Sequence, residues 1–535
     1  MAARWDVVII GGGHNGLVAA AYLARHGLRA LVCERRDIVG GAAVSEHPFG
    51  PGYTITSLSY VVSLLPADLV RDLRLDQHGY HVYRQGPYFA PRADGRYLRL
   101  PDDPAARNAE IARFSARDAA RYPDYQARLV AIARVLGPLL RQIPPKLGSR
   151  RPRDLVGQGL LLRRLRAVDA RMAVDITRLL GGSVADLLDE YFESDALRGL
   201  LSVSGVIGMW AGPRSAGTAY VTLHHHTGDA AGQAGAWGFP RGGMGAVTAA
   251  LAAAARGFGA QIRTGAQVAR IRTSGGRATG VVLADGEEVD ADTVITTLHP
   301  RLSFLELLDP ATLPDGFAAD IRRWQSRSGT VKINVALERL PVFASHPVFD
   351  PQVHGGTIVL AESLDEIEDA YQQAVCGSPS SLPFADICIP SVFDDSLAPP
   401  GQHVMSMFTQ WVPHTYCDQP DADQLYAYAD RVIARMDLLA PGFAESVLHR
   451  QVIGPDRMQQ EYGLVGGNIF HGELSVGQLF HARPAAGYAD LRTPVRGLYQ
   501  AGSATHGGGG VTGIPGRNVV RQVLADRRLR SWRRN

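Results

Sequence analysis

Cysteine is scarce in this chain of 535 residues, which contains four: Cys33, Cys376, Cys388 and Cys417. No two of them have C-x-x-C spacing, so the sequence indicates neither a zinc knuckle nor a redox-active cysteine pair. This pattern is typical of free thiols in a reducing compartment. Chemistry that depends on a redox-active pair of cysteines is therefore excluded.

Lysine is even scarcer, since Lys146 and Lys332 are the only two, and arginine supplies nearly all of the positive charge. The net charge is +3, and the basic residues are spread along the chain, not clustered with aromatic residues. The sequence therefore predicts no nucleic-acid partner. One of the two lysines, Lys332, falls within a predicted strand and becomes a candidate site residue below.

Long apolar runs are also missing, because no stretch reaches the roughly 18 residues that a spanning helix needs. The N-terminus enters a strand almost at once and has no secretory signal pattern, so we expect a cytoplasmic protein. Residues 141–172 contain the basic, amphipathic stretch LLLRRLR. It predicts either a solvated helical face or a patch that contacts a membrane surface to collect an apolar substrate.

The most informative pattern is at the start of the chain. Val7–Ile10 is an apolar run typical of a strand buried on both faces, and a G-x-G-x-x-G motif follows it. Leu17–His26 predicts a helix that Gly27 ends, and Ala30–Cys33 predicts a second strand. In such a unit the glycines let the backbone approach a pyrophosphate, which the helix N-terminus attracts. The residues of this turn in the predicted site are Gly11, Gly13, His14, Asn15 and Gly16.

An acidic residue completes this unit. Glu34 lies 23 positions after Gly11, where the carboxylate that hydrogen-bonds an adenosine ribose is expected. The unit therefore predicts dinucleotide binding, but alone it does not distinguish NAD from FAD. The following loop brings a cation and more backbone N–H groups toward the phosphates, and its predicted site residues are Arg35, Gly40, Gly41 and Ala42.

The end of the chain contains a second strand, glycine-rich loop and helix. Leu498–Ala501 predicts the strand, and Ile514–Leu524 the helix, whose free N-terminus is suited to the negative charge of a reduced flavin. The predicted cofactor residues of the loop are Gly502, Ser503, Gly510, Val511 and Thr512. A cofactor held from both ends of the chain suits resident FAD better than exchanging NAD.

The middle of the chain returns to the first domain. A glycine-rich segment that begins at Gly235 precedes a helix at Ala246–Arg256, several strands and a final strand at Thr293–Thr297, which we expect in a parallel sheet. Val268 is placed where this segment packs beside an adenine. The sequence thus predicts a discontinuous Rossmann-type α/β domain for FAD, made of residues 1–75, 235–300 and 485–535.

The remaining residues, 76–234 and 301–484, predict a substrate domain of mixed sheet and helices, with a mainly helical cap at about 101–229. Residues 331–337 alternate apolar and other side chains, the pattern of a half-buried strand. His225 lies in a run of three histidines. No Cys or acidic cluster is near it, so we predict no metal site and expect one of these histidines in a substrate cavity.

Several motifs together resemble one family. The opening unit with VGGAA, the segment GAWGFPRGGMGA, the strands around GVVLADG and the ending GLYQAGSATHGGGGVTG are similar to the phytoene-desaturase-like FAD-dependent oxidoreductases. These belong to the wider amine-oxidase and glutathione-reductase type of flavoprotein, and the resemblance runs nearly end to end. It implies FAD, two domains and redox chemistry on an organic substrate. The usual His-Pro before the last glycines is His506-Gly507 here.

From this resemblance we expect hydride transfer between flavin N5 and C–H or C=C bonds of an apolar, polyene or lipid-like substrate, by desaturation, saturation or isomerisation. The electron acceptor, oxygen or a quinone, stays open, as does the oligomeric state, with a homodimer among the choices. Candidates for the acid or base are His506, Lys332 and His225, and the alternative for Lys332 is a strand lysine that points to solvent.

Two other functions stay open. One is amine oxidation by oxygen, which requires an aromatic cage beside the flavin. Candidate cage residues are Trp237, Phe239, Trp411 and Tyr462. The other is an FAD-stabilised scaffold that acts through partners with little turnover.

Overall fold

A computed structural model of the chain describes residues 4–150, 152–166, 168–228 and 236–532. The strands are β1 Trp5–Ile10, β2 Ala30–Cys33, β3 Ser45–Glu46, β4 Ile55–Thr56, β5 Val82–Arg84, β6 Tyr88–Pro91, β7 Tyr97–Leu100, β8 Gly238–Pro240, β9 Gln261–Arg263, β10 Val268–Ser274, β11 Arg277–Leu283, β12 Glu288–Thr296, β13 Thr330–Leu337, β14 Thr357–Leu360, β15 Phe384–Cys388, β16 His403–Gln410, β17 Val447–Ile453 and β18 Leu498–Gln500.

The helices, short turns aside, lie between and after these strands. They are α1 His14–Arg25, α2 Ala67–Asp72, α3 Pro104–Ala112, α4 Ala116–Leu140, α5 Pro152–Leu165, α6 Ala170–Gly181, α7 Val184–Asp189, α8 Asp195–Val206, α9 Thr218–His225, α10 Met244–Gly257, α11 Asp315–Arg323, α12 Pro351–His354, α13 Leu364–Val375, α14 Ala422–Leu439, α15 Pro455–Tyr462 and α16 Ile514–Trp532.

Three distant parts of the chain build the first sheet. Its order is β10-β11-β12-β1-β2-β9, and β18 pairs with β12. β12 is parallel to both β1 and β18, which confirms that the middle segment returns to a parallel sheet. These strands come from the three segments assigned to the FAD-binding domain, whose boundaries stay a prediction. Gly235, the first residue of the glycine-rich segment, lies outside the described residues.

The first strand is apolar because both faces of the sheet are covered. Val7 and Ile9 pack in a cluster with α1, α10 and α16, whereas Val8 and Ile10 pack in a second cluster with β10–β12 and α11. Consecutive side chains of a strand point to opposite faces, so a strand covered on both sides reads as a continuous apolar run. The predicted buried strand is confirmed.

The second sheet has the order β17-β13-β16-β15-β14-β6-β7. On one face of β13, Val331, Ile333 and Val335 pack on α14 in an apolar core. The prediction of a half-buried strand is wrong, because all eight residues of β13 are buried. The polar face, with Lys332 and Asn334, is not turned to solvent but closed beneath Tyr60 and Ser57 of the first 75 residues.

Helices α3–α9 pack around a core rich in tyrosine and leucine. Two consecutive helices of this region, α6 and α7, are separated by Gly182 and Ser183. The break follows from local chemistry. Ser183 caps α7 by accepting a hydrogen bond from the backbone N–H of Asp186, whose side chain accepts one from the N–H of Ser183 in return.

Candidate functional site

The turn between β1 and α1 has a shape that only glycine permits. Gly11 has φ +101°, and a Cβ on Gly16 would lie 2.1 Å from the Gly11 carbonyl oxygen. Gly13 differs, because a Cβ there would meet only the Gly40 carbonyl oxygen, at 4.0 Å, and its other side borders a cavity. Gly11 and Gly16 thus serve the turn itself, whereas Gly13 leaves room for a ligand.

The start of α1 has unused hydrogen-bonding capacity. Gly13 caps the helix without a side-chain hydrogen bond, so the N–H groups of the first turn face the cavity without a cap. Asn15 Oδ1 and His14 Nε2 are buried and have no hydrogen-bond partner among the described residues. Buried polar groups normally have partners. The N–H groups of the helix, and His14 Nε2 in its N–H tautomer, therefore fit the phosphates of a dinucleotide, whereas Asn15 Oδ1 can accept only from a hydroxyl or N–H group of the ligand.

Glu34 is fixed at the end of β2. Its carboxylate accepts hydrogen bonds from the backbone N–H of Gly12 (2.7 Å) and of Arg36 (3.0 Å), and the residue lines the cavity. A carboxylate has about four acceptor positions, so two remain for the hydroxyls of a ribose. The burial and orientation of Glu34 fit the role predicted for it.

The loop after β2 is locked against this turn. Gly40 N–H donates to the Gly12 carbonyl at 2.9 Å, and Gly40 and Gly41 both have positive φ. Gly41 and Ala42 line the cavity. The Arg35 guanidinium donates to the carbonyls of residues 460 and 461, at 2.8 Å each, so it ties α15 to the rim of the cavity. Its contact with a phosphate stays a prediction.

The C-terminal loop closes the cavity from the other side. Ser503, Gly510 and Val511 line it, and Asn15 Nδ2 donates to Ser503 Oγ at 3.4 Å. Gly502 lies behind this wall, where a Cβ would be 2.6 Å from the Thr297 carbonyl oxygen. Thr512 Oγ1 accepts from the N–H of Ile514 at 3.2 Å and thereby shapes the start of α16. At the far end, Val268 lines the cavity, and its contact with an adenine stays a prediction.

The lining residues among these groups border one cavity of about 370 Å³, which extends from Glu34 to the second sheet, whereas Gly16, Gly502 and Thr512 do not line it. Its wall at the second sheet contains Lys332, which is 1% exposed. The Lys332 ammonium donates to Asn334 Oδ1 (2.7 Å) and to Ser406 Oγ, and lies 5.2 Å from the centre of the Tyr60 ring. The alternative of a lysine that points to solvent is therefore wrong.

Burial changes the protonation of this wall. It lowers the pKa of Lys332 to about 7, because the apolar surroundings disfavour the ammonium. Beside it, Asp386 accepts a hydrogen bond from the Tyr60 hydroxyl at 3.0 Å, and burial raises the pKa of Asp386 to about 7. Sequence reasoning missed Tyr60 and Asp386, since a lone tyrosine and a strand aspartate form no motif.

The two candidate histidines have different positions. His225 lines the cavity, and the centre of its ring lies 5.5 Å from that of Trp237. Its Nδ1 is within hydrogen-bonding distance of the Ser204 carbonyl oxygen, at 3.0 Å. Burial lowers its pKa to about 3, so it is neutral at physiological pH. The structure does not bring His506 to this cavity. His506 lies in a second cavity, where its Nε2 is 2.9 Å from the Leu139 carbonyl oxygen.

The aromatic candidates divide in the same way. Trp237 and Tyr462 line the main cavity, whereas Phe239 and Trp411 are buried in packing contacts away from it. Aromatic lining residues that the sequence did not single out are Tyr60, Phe408 and Phe470. Tyr60 and Phe408 lie at the end of the cavity that contains Lys332, and their rings stack with centres 6.1 Å apart.

Among the residues that the structure describes, no group of three or more His, Cys, Asp or Glu side chains is arranged to hold a metal ion. No described helix combines the length and the apolar character that crossing a membrane would require.

Comparison with known proteins adds to this geometry. The sequence model of a family described as flavin containing amine oxidoreductase matches residues 16–516. Pyridine nucleotide-disulfide oxidoreductase domain-containing protein 2 of Rattus norvegicus is 39% identical over 98% of this chain and 94% of its own length. A lycopene-forming phytoene desaturase of Paracoccus is a more distant relative, 24% identical over 96% of each chain.

Solved structures support the fold. Cyclohexylamine oxidase from Brevibacterium oxydans superposes with a TM-score of 0.58 over 98% of this chain and 99% of its own, at 19% identity. The predicted α/β flavoprotein fold, the resemblance to phytoene-desaturase-like oxidoreductases and the FAD cofactor are confirmed. The roles of the individual residues stay predictions.

Proposed function

Because this chain belongs to the flavin containing amine oxidoreductases and has FAD as its cofactor, we propose that it oxidises a C–H bond of an apolar, uncharged substrate. When bound, FAD supplies the acceptor for the hydride. The product would contain a new C=C bond. Saturation, which is the reverse reaction, and isomerisation of a C=C bond would use the same groups. The distant phytoene desaturases, by their name, act on such a substrate.

The observation that carries this proposal is the make-up of the cavity wall. The acids that line the cavity in the described part of the chain are Glu34, at the end of β2, and Glu306, which is exposed. Neither lies on the second sheet, so no lining carboxylate there is placed to bind an ammonium ion. Asp386 of that sheet is not a lining residue, and burial raises its pKa to about 7. The lining side chains beside Lys332 include the rings of Tyr60 and Phe408. An uncharged, apolar molecule fits this surface better than an ammonium ion.

We assign Lys332 as the base that accepts the proton. Removal of a hydride and a proton from adjacent carbons leaves a double bond, and the neutral Lys332 amine accepts the proton. Hydrogen bonds to Asn334 and Ser406 hold Nζ in one place. With a pKa of about 7, the amine is partly neutral at physiological pH, as a general base requires.

A substrate panel tests the proposal. We expect anaerobic reduction of the bound flavin, seen as bleaching of its visible absorbance, by terpene or polyene hydrocarbons and not by diamines or monoamines. Rapid bleaching by an amine, with peroxide formed on admission of air, would favour amine oxidation instead, for which the aromatic side chains beside Lys332 could form the cage. Reduced flavin that no acceptor reoxidises, neither oxygen nor quinones, would favour a scaffold.

An apolar substrate requires a source, and we propose that α5 contacts an anionic membrane surface to collect it. Leu155, Val156 and Leu162 of this helix are 50%, 64% and 64% exposed, and the arginines at 163, 164 and 166 are exposed among them. Apolar side chains interleaved with arginine suit a headgroup region. The helix also covers a second cavity of about 250 Å³, to which it contributes Leu160 and Leu161.

Vesicle sedimentation tests this contact. We expect the protein to bind vesicles that contain anionic lipid, more weakly at high salt, and expect Leu155→Gln with Leu162→Gln to reduce binding at least about fivefold. The matched control is Leu438→Gln, because Leu438 is 82% exposed on α14. An equal effect of the control, or equal binding to neutral vesicles, would argue against the proposal.

A further inference from the structure

A second charged side chain is buried close to the cavity. Arg483 is 2% exposed, and its guanidinium donates to the carbonyls of Phe470 (2.9 Å), Ser503 (2.9 Å) and Gln478 (3.3 Å). Nε has no partner among the described residues, and the guanidinium lies 5.3 Å from the centre of the Trp324 ring. The side chain is therefore held in one position, directly behind two residues of the cavity wall.

The charge of Arg483 is not balanced. Within the described ranges no carboxylate lies within ion-pair distance of it. Its ionisable neighbours His299 and His471 carry no negative charge, and burial raises the pKa of the neighbouring Tyr220 to about 12, so this hydroxyl is neutral too. Burial lowers the pKa of Arg483 to about 10, yet leaves it charged at neutral pH. A buried charge without a counter-charge costs stability. Other buried arginines are paired: Arg435, for example, lies 2.7 Å from Glu366.

The position of Arg483 indicates where the missing negative charge belongs. Ser503, whose carbonyl Arg483 holds, lines the cavity and is hydrogen-bonded to Asn15 in the first turn of α1. The same part of the wall contains the unpartnered atoms His14 Nε2 and His471 Nδ1. A buried cation, a helix N-terminus and unpaired donors or acceptors thus surround one region, which is the setting that an anion requires.

We propose that Arg483 is a positioning residue that supplies the counter-charge for the diphosphate of FAD and holds the glycine-rich loop, through Ser503, against the start of α1. This inference extends the FAD site to a residue outside its glycine motifs. Arg483 would act from behind the wall, by charge and by the two carbonyls it joins, without direct contact with the cofactor. The free-energy cost of burying Arg483 without a carboxylate would then be offset, because the FAD diphosphate stays bound nearby.

The test compares cofactors that differ in negative charge. Full-length protein stripped of flavin is titrated with FAD and with riboflavin, which lacks the diphosphate, by quenching of flavin fluorescence. For Arg483→Met we expect FAD binding to weaken about thirtyfold and riboflavin binding to change less than about threefold. Arg483→Lys keeps the charge and should lose less than about fivefold for FAD. Arg435→Met is the matched control, and its affinity for FAD should be unchanged.

Two outcomes would overturn the proposal. Equal losses for FAD and riboflavin in Arg483→Met would indicate that the residue only braces the loop. Equal losses for FAD in the lysine and methionine variants would indicate that charge does not matter. If Arg483→Met does not fold, the lysine variant decides by itself: its FAD affinity should then fall by less than fivefold and depend on salt as in the wild type, and a larger loss refutes the inference.

Discussion

Gly13→Val is expected to purify as a colourless, folded protein with less than about one tenth of the FAD of the wild type. The added side chain has room in the protein, because the nearest atom to a Cβ at Gly13 is 4.0 Å away and φ is −72°. It would project into the cavity where the backbone of α1 meets the pyrophosphate. The loss therefore falls on the cofactor and not on the fold.

Absorbance of the purified protein near 450 nm, together with far-ultraviolet circular dichroism, measures both parts of this prediction. Gly316→Val is a matched control, since Gly316 is in α11 and a Cβ there meets nothing within 4 Å. We also expect added FAD to raise the melting temperature of the control and not of Gly13→Val, because a ligand stabilises only the protein that binds it. A yellow Gly13→Val protein with normal FAD content would refute this assignment.

Lys332→Met is expected to slow reduction of the flavin by substrate about a hundredfold or more, the usual size of a general-base effect. In the wild type the rate should rise with pH through an apparent pKa near 7, because the amine accepts a proton only when neutral, which it is above that pH. The variant should lose this dependence. Stopped-flow absorbance under anaerobic conditions, from pH 6 to pH 9, measures both effects.

The chain itself offers the control. Lys146→Met removes the only other lysine, which is exposed, and should leave the rates unchanged. Reoxidation of dithionite-reduced flavin by oxygen in the same variants gives a second measurement that needs no substrate. If neither half-reaction changes in Lys332→Met, the lysine has no role in the chemistry.

The cofactor end of the site could be predicted from sequence because its chemistry depends on short segments. The turn at Gly11–Gly16 and the acid Glu34 belong to one strand–helix–strand unit, so spacing alone brings them together. The substrate end is different. Tyr60 meets Lys332 and Asp386 only when the first 75 residues close over the second sheet. No local pattern carries that information.

Strand β13 shows most clearly what the sequence pattern cannot predict. Alternation of apolar and polar residues predicted which side chains share a face, and that grouping is correct. Alternation does not indicate what covers the polar face of the strand. We expected solvent there, but in the structure this face borders the cavity. His506 is the opposite case: its loop was rightly placed beside the cofactor site, but the backbone turns the ring into the second cavity.

The order of the first sheet also affects how the protein is made. β1 and α1 leave the ribosome long before β18 and α16, which complete their surroundings. At about 5–20 residues per second, roughly 25–100 s separate the synthesis of the two parts. During translation this apolar segment therefore stays partly uncovered, and the wall that Ser503, Gly510 and Val511 add to the cofactor cavity forms only after that interval.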